Sequence, residues 1–342
     1  MKHFSALLLL SAFALHGEAN TPDDDRHANA LNNDGVNLYQ AGRYQEAERL
    51  YSRAIEIWRP QGGVNLAAAL NNMGALYRSM GRYTESEAQY LEALQIQKSL
   101  FGKDSIQSVN VLNNLAQLYR AEGRFQDALI LARKSVDLTG KGDAALLDRL
   151  VTLGSVSADL GKPDEALALF QRAAQLAESA TGRPHPRLAG IWNNIAQVHI
   201  AQGRPEQAEP LLHRALELWE QSAGPEHVNV AVALNNLAQS LRLQGRYAEA
   251  EPLYRRSLQI LEKRVGSEHP DFAKALANLA DFFHERGRDS GAIALYQRSL
   301  GVLERSLGPD HPATAKVRSN LVQVYRAEGR HTEAGNLTLA RK

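Results

Sequence analysis

The sequence contains no cysteine. That excludes disulfides, thiolate metal sites, cysteine nucleophiles and a lipid-modified cysteine near the N-terminus. Aromatic residues are scarce at 6%, and Ala and Leu dominate an apolar content of 44%, a mixture that suits helices better than sheets. There is no charge excess either. With 39 basic and 38 acidic residues the net charge is +1, so bulk electrostatics favour neither nucleic acid nor an anionic membrane as the main partner. Signatures of catalysis are also missing. No GxSxG, HExxH or CxxC occurs, and Gly140-Lys141-Gly142 lacks the length and the Ser or Thr of a phosphate loop. The chain is therefore expected not to be an enzyme and to need no metal or cofactor.

The one sizeable apolar run lies at the start. Lys2 and His3 precede Phe4 to Leu15, and Gly17-Glu18-Ala19 follows. Positive start, apolar core and small-residue cleavage site occur in the order of a secretory signal peptide, residues 1–19. The run is too short to span a bilayer. The competing reading is a buried first helix. Export places the mature chain in the periplasm or outside the cell. Residues 20–27, Asn20 to His27, are polar and acidic without periodicity and are expected to be a flexible leader.

From about Ala28 the chain repeats itself. Leu112 to Phe125, LNNLAQLYRAEGRF, returns as LNNLAQSLRLQGRY from Leu234, and looser copies start at Leu31 and Leu70. A glycine followed by a basic residue marks eight units: Gly42-Arg43, Gly81-Arg82, Gly123-Arg124, Gly161-Lys162, Gly203-Arg204, Gly245-Arg246, Gly287-Arg288 and Gly329-Arg330. The glycines are 39, 42, 38, 42, 42, 42 and 42 residues apart. A near-fixed period of this length indicates a solenoid.

Each unit reads as two helices. In the third, Leu112, Leu115, Ala116 and Tyr119 follow the spacing of one helical face. Gly123 then ends the helix, and Ala128, Leu131, Ala132 and Ser135 give the second helix an inner face. A small residue recurs five positions after the glycine, from Ala47 to Ala334. Nine positions after it a large one usually sits, such as Tyr51, Tyr90, Phe170 or Tyr254. The large residue is expected to fill the space between one helix pair and the next. A lone pair cannot bury its apolar face, so stacking must supply the core.

This pattern resembles the tetratricopeptide repeat, whose usual period is 34 residues. The 42-residue period, with LNNLA, GRYxEAE and LGPxHP segments, is similar to the kinesin-light-chain type of that repeat. The resemblance covers roughly residues 28–342 and implies an all-α, right-handed superhelix of eight helix-turn-helix repeats. It also implies a protein-interaction scaffold whose first helices line a concave groove. Unit four departs from the pattern, with Leu150-Val151-Thr152 in place of LNN and Ser157 in place of the aromatic. It reads either as a degenerate repeat or as a bend.

On the first helix of unit three, Asn113, Gln117 and Arg120 share a face beside the apolar one. Unit six repeats the set as Asn235, Gln239 and Arg242. Unit five has Asn193 and Gln197, unit eight Gln323 and Arg326, and unit two Asn71 and Arg78. A second asparagine recurs as Asn72, Asn114, Asn194, Asn236, Asn278 and Asn320. Each amide can donate and accept, so the stripe could pair with the main chain of an extended peptide, and the arginines could add bonds to acidic side chains. The alternative is that the asparagines bond neighbouring helices and hold the stacking register. Both remain open at this point, as does a third possibility, an assembly factor that works through its outer face and ends. The row His185, His227, His269 and His311, spaced 42 apart, is too widely separated for one metal ion. It reads instead as a turn into each first helix, with proline often at the opening position.

Overall fold

The computed structural model describes residues 21–140, 143, 145–179 and 187–339. Among these there are α-helices, one short 3-10 turn and no strand. The helices fall into eight pairs: α1 (Pro22–Gln40) with α2 (Tyr44–Trp58), α3 (Gly63–Ser79) with α4 (Tyr83–Phe101), α5 (Val109–Ala121) with α6 (Phe125–Asp137), and α7 (Leu146–Asp159) with α8 (Pro163–Ser179). Then come α9 (Arg187–Ala201) with α10 (Pro205–Ala223), α11 (Val228–Leu243) with α12 (Tyr247–Arg264), α13 (Pro270–Glu285) with α14 (Asp289–Leu307), and α15 (Pro312–Ala327) with α16 (His331–Leu339). The architecture is an all-α solenoid, as the period requires.

The glycine-basic pair works as one device. Gly123 adopts φ +75°, a left-handed conformation that costs glycine nothing. The N–H of Arg124 then reaches back 2.8 Å to the carbonyl of Tyr119 and closes the end of the helix. The same bond recurs from Arg43 to Leu38, Arg82 to Tyr77, Arg246 to Leu241 and Arg330 to Tyr325. The arginine side chain does a second job that the sequence reading did not foresee. Arg246 bridges Glu249 on its own helix and Glu209 on the second helix of the preceding unit, both at 2.8 Å. Arg82 joins Glu85 and Glu48 in the same way, and Arg124 joins Asp127 and Glu87. Arg124 also stacks on the Tyr119 ring, 3.6 Å from its centroid.

The small residues five positions after the glycine are all buried, from Ala47 to Ala334. The large ones nine positions after it are buried too, but not where the sequence reading put them. They pack inside their own pair rather than between pairs. A Cβ on Gly35 would lie 2.7 Å from Tyr51, one on Gly74 2.7 Å from Tyr90, and one on Gly154 2.8 Å from Phe170. A glycine on the first helix makes room for a ring from the second.

A second difference concerns the leader. Residues from Pro22 onward are helical, so Pro22 to His27 form the first turns of α1 rather than a flexible segment. Thr21 and Asp24 make a complete capping box, proline occupies the opening turn, and Asp23, Asp24 and Asp25 suit the positive end of the helix dipole. Trp58 of α2 donates to Asp25 at 3.0 Å and ties that turn down. The acidic run that suggested a loose leader is a helix start. The signal-peptide residues 1–19 lie outside the described residues.

Unit four is a complete pair. The core changes hands there: Leu153 and Val156 pack with units one to three, while Leu146, Leu147, Leu150 and Phe170 pack with units five to seven.

Candidate binding groove

Successive first helices touch along the array: α1 meets α3, α3 meets α5, and so on to α13 and α15. Among the described residues the second helices of successive units keep their backbones further apart and meet through long side chains, such as Arg256 with Glu220 and Arg298 with Glu262. Elements that fan apart lie on the convex side, so the first helices line the concave one. There a cavity of about 1080 Å³ runs along units one to five, and Arg78, Asn113, Asn114, Gln117, Arg120 and Asn194 are among its walls. Of the remaining expected binding residues, Gln197, Gln323 and Arg326 are exposed elsewhere. Asn235, Gln239 and Asn278 are half-buried on first helices beyond the cavity.

The asparagines form a ladder. The second asparagine of one unit donates to the first of the unit before. Asn72 reaches Asn32 at 3.1 Å, Asn114 reaches Asn71 at 2.9 Å and Asn236 reaches Asn193 at 2.8 Å. Asn320 donates to Asp281 at 3.0 Å. Unit four has no asparagine to offer, and Gln117 donates to Thr152 instead, at 3.2 Å. The arginines are engaged as well: Arg120 with Asp159 of unit four, and Arg242 with Glu285 of unit seven. The stripe that suggested peptide recognition thus also holds each first helix in register with the next.

The far wall of the cavity comes from a different part of the chain. His227, His269 and His311, with their neighbours Val228, Asp271, Lys274 and Pro312, face it. Each histidine caps a first helix by accepting a backbone N–H at Nδ1, from Asn229, Asp271 and Ala313 respectively. Pro270 and Pro312 open α13 and α15. These three are turn residues, as the sequence suggested. His185 lies outside the described residues, and among the described residues no group of three or more metal-binding side chains comes together.

Four cations (Arg78, Arg120, Arg264, Lys274) and three carboxylates (Asp148, Asp159, Asp271) line the cavity, so its field is mixed rather than strongly basic. Asp271 is held below the usual carboxylate range. Burial opposes this, but Lys274, His269 and Arg78 outweigh it. Lys274 is raised in turn, since Asp271 and Tyr83 outweigh burial. Sequence reasoning missed Tyr39, Tyr44, Tyr83, Asp271 and Lys274 as cavity residues. The His-Pro pairs before α13 and α15 were the available signal, but they do not say what lies opposite.

A tetratricopeptide repeat family model matches residues 65–140, 187–263 and 271–337. A second model of the same description matches residues 27–59 and 146–187. Among solved structures, BtubC (BKLC) from P. vanneervenii is 20% identical with a TM-score of 0.48, over 67% of this chain and 88% of that one. A putative kinesin light chain with nearly identical TPR-like repeats, from Podosopora anserina, is 20% identical with a TM-score of 0.44, over 57% and 94%. PilF of Pseudomonas aeruginosa is 17% identical with a TM-score of 0.45, over 70% and 93%. No curated protein matches the sequence.

Proposed function

The chain belongs to the tetratricopeptide repeat family, with repeats of the kinesin-light-chain type, and we propose that it is an exported interaction scaffold that holds an extended segment of a partner protein in its concave groove. The observation that carries this reading is the long polar cavity along the first helices of units one to five. Its wall carries amides and hydroxyls that can pair with a main chain, among them Gln40, Asn113, Asn194, Thr152 and Ser155. Arginine and lysine beside carboxylates favour a segment with acidic residues among others of mixed sign, rather than a uniformly acidic one. The ladder already occupies many amides, and Gln117 and Arg120 are bonded to Thr152 and Asp159 of unit four, so a ligand held by Gln117, Arg120 and Asn194 exchanges those two bonds for its own.

The test is affinity capture with the whole chain and two variants. Val151 is half-buried and faces the cavity, so Val151→Trp fills the groove. Ile130 lies on the second helix of unit three and is 66% exposed, so Ile130→Glu changes the outer face. Partners lost from Val151→Trp and kept by Ile130→Glu support the groove. The reverse supports an assembly factor acting through its convex side, a reading that exposed Leu91 and Ile130 favour. Export is tested separately by N-terminal sequencing of the expressed full chain: an exported product should begin at Asn20.

A further inference from the structure

Two contacts join residues 190 positions apart. The Nε2 of His269, before α13, donates to the carbonyl of Ser79 at the end of α3, at 2.8 Å. The Nε2 of His311, before α15, donates to the carbonyl of Ala121 at the end of α5, also at 2.8 Å. In both rings Nδ1 already accepts the helix-capping N–H, which fixes the neutral tautomer that donates from Nε2. The proline that follows each histidine sits on the glycine of the opposite turn. A Cβ on Gly81 would be 3.0 Å from Pro270 Cδ, and one on Gly123 2.7 Å from Pro312 Cδ. After five units the superhelix meets itself, and units seven and eight rest on units two and three. Tyr83 and Arg78 on one side are coupled to Asp271 and Lys274 on the other.

The third contact of this series would place unit six on unit one, and it is not made. His227 caps α11 but is followed by Val228, and nothing lies within 4 Å of a Cβ built on Gly42. A smaller cavity of about 300 Å³ opens nearby, between Tyr44 on one side and Arg264 and His269 on the other. The seam is closed at two steps and open at one.

We propose that the two histidine–carbonyl pairs are a latch that closes the groove into a channel, and that an extended segment is admitted into it only when the latch opens. What is admitted rests on the groove reading given above; the latch itself does not, and its test uses no partner. The chain has no cysteine, so Val151→Cys places a single thiol in the channel wall. A bulky polyethylene-glycol maleimide and the small N-ethylmaleimide then report channel opening, with Gln323→Cys as an exposed reference. His269→Asn/His311→Asn keeps an oxygen that can cap each helix but is too short to reach the opposite carbonyl. His269→Ser/His311→Ser, whose hydroxyl caps each helix and also falls short of the opposite carbonyl, is a second opening variant should the first fail to fold.

The bulky reagent should label Val151→Cys much more slowly than Gln323→Cys. It should label about tenfold faster once the latch is broken, the change made by roughly 1.4 kcal/mol in the closed-to-open equilibrium. The small reagent should change little. If the bulky reagent labels Val151→Cys in the otherwise unaltered chain as fast as the reference, or at the same rate in both opening variants, the latch is refuted. A groove that binds no partner but shows this labelling pattern would refute the scaffold reading and leave the latch standing.

Discussion

Gly74 and Tyr90 occupy one space. The ring of Tyr90, fully buried on α4, lies where a side chain on Gly74 of α3 would begin, 2.7 Å from an ideal Cβ. The pairs Gly35–Tyr51 and Gly154–Phe170 repeat the arrangement. Alanine at the equivalent position clusters with a smaller partner in unit five, Ala196 with Leu212, and with a tyrosine in units six and seven, Ala238 with Tyr254 and Ala280 with Tyr296, so the close approach is particular to the glycine units. Gly74→Ala should therefore lower stability by about 1–3 kcal/mol through overpacking, despite the higher helix propensity of alanine. Adding Tyr90→Leu should recover much of the loss. A double-mutant cycle by denaturant melting measures the coupling, and purely additive effects would contradict the shared volume.

The asparagine ladder predicts unequal costs. Asn193 and Asn236 are 4% and 5% exposed. Asn236→Ala leaves the Asn193 carbonyl without its donor and should cost about 1–3 kcal/mol. Asn72→Ala, at a half-buried step, should cost less because water can replace the lost partner. Removing both Asn193 and Asn236 should cost less than the sum of the single losses.

Acid should loosen the structure through its buried histidines. His311 is held below its ordinary value of 6.5, chiefly by burial, with the bond to the Ala121 carbonyl partly offsetting this and Lys274 adding to it. Burial lowers His227 and His199 in the same direction. As pH falls below 6.5 the unfolded chain binds protons that these folded histidines refuse, so the unfolded state gains. Their contribution is complete above about pH 6.5 and is lost as pH drops toward the lowered values. Melting temperature should be flat from pH 8 to 7 and should fall as pH drops below about 6.5. His311→Asn should flatten part of that slope.

The arginine bridges between second helices should matter little individually. Arg246 touches both Glu209 and Glu249, but its side chain is 38% exposed. Arg246→Ala should therefore lower the melting temperature only slightly, and less still in high salt. A larger, salt-independent loss in the melting curve would show that packing of its stem, not charge, is what holds the units together.

Much of this molecule was legible before any coordinates. Period, helix pairing and the glycine stop are local: they depend on residues within one turn or one pair, and the apolar spacing of Leu112, Leu115, Ala116 and Tyr119 states them directly. The site was only half legible. A helical wheel can put Asn113 and Asn114 on the polar side of a helix, but it cannot say that Asn114 spends its amide on Asn71. That depends on the distance between units. Nor could the acidic residues after Thr21 be told from a loose leader without seeing Trp58 bonded to Asp25.

Sequence alone determined that this chain is a stack of eight helix pairs, because each pair's instructions are written within its own 38 to 42 residues. Tertiary structure alone decided that the stack meets itself, bringing His269 to Ser79 and His311 to Ala121. The reason is cumulative geometry. A small rotation at each junction, set by side-chain packing, adds over five units to nearly one full turn. No local pattern records that sum.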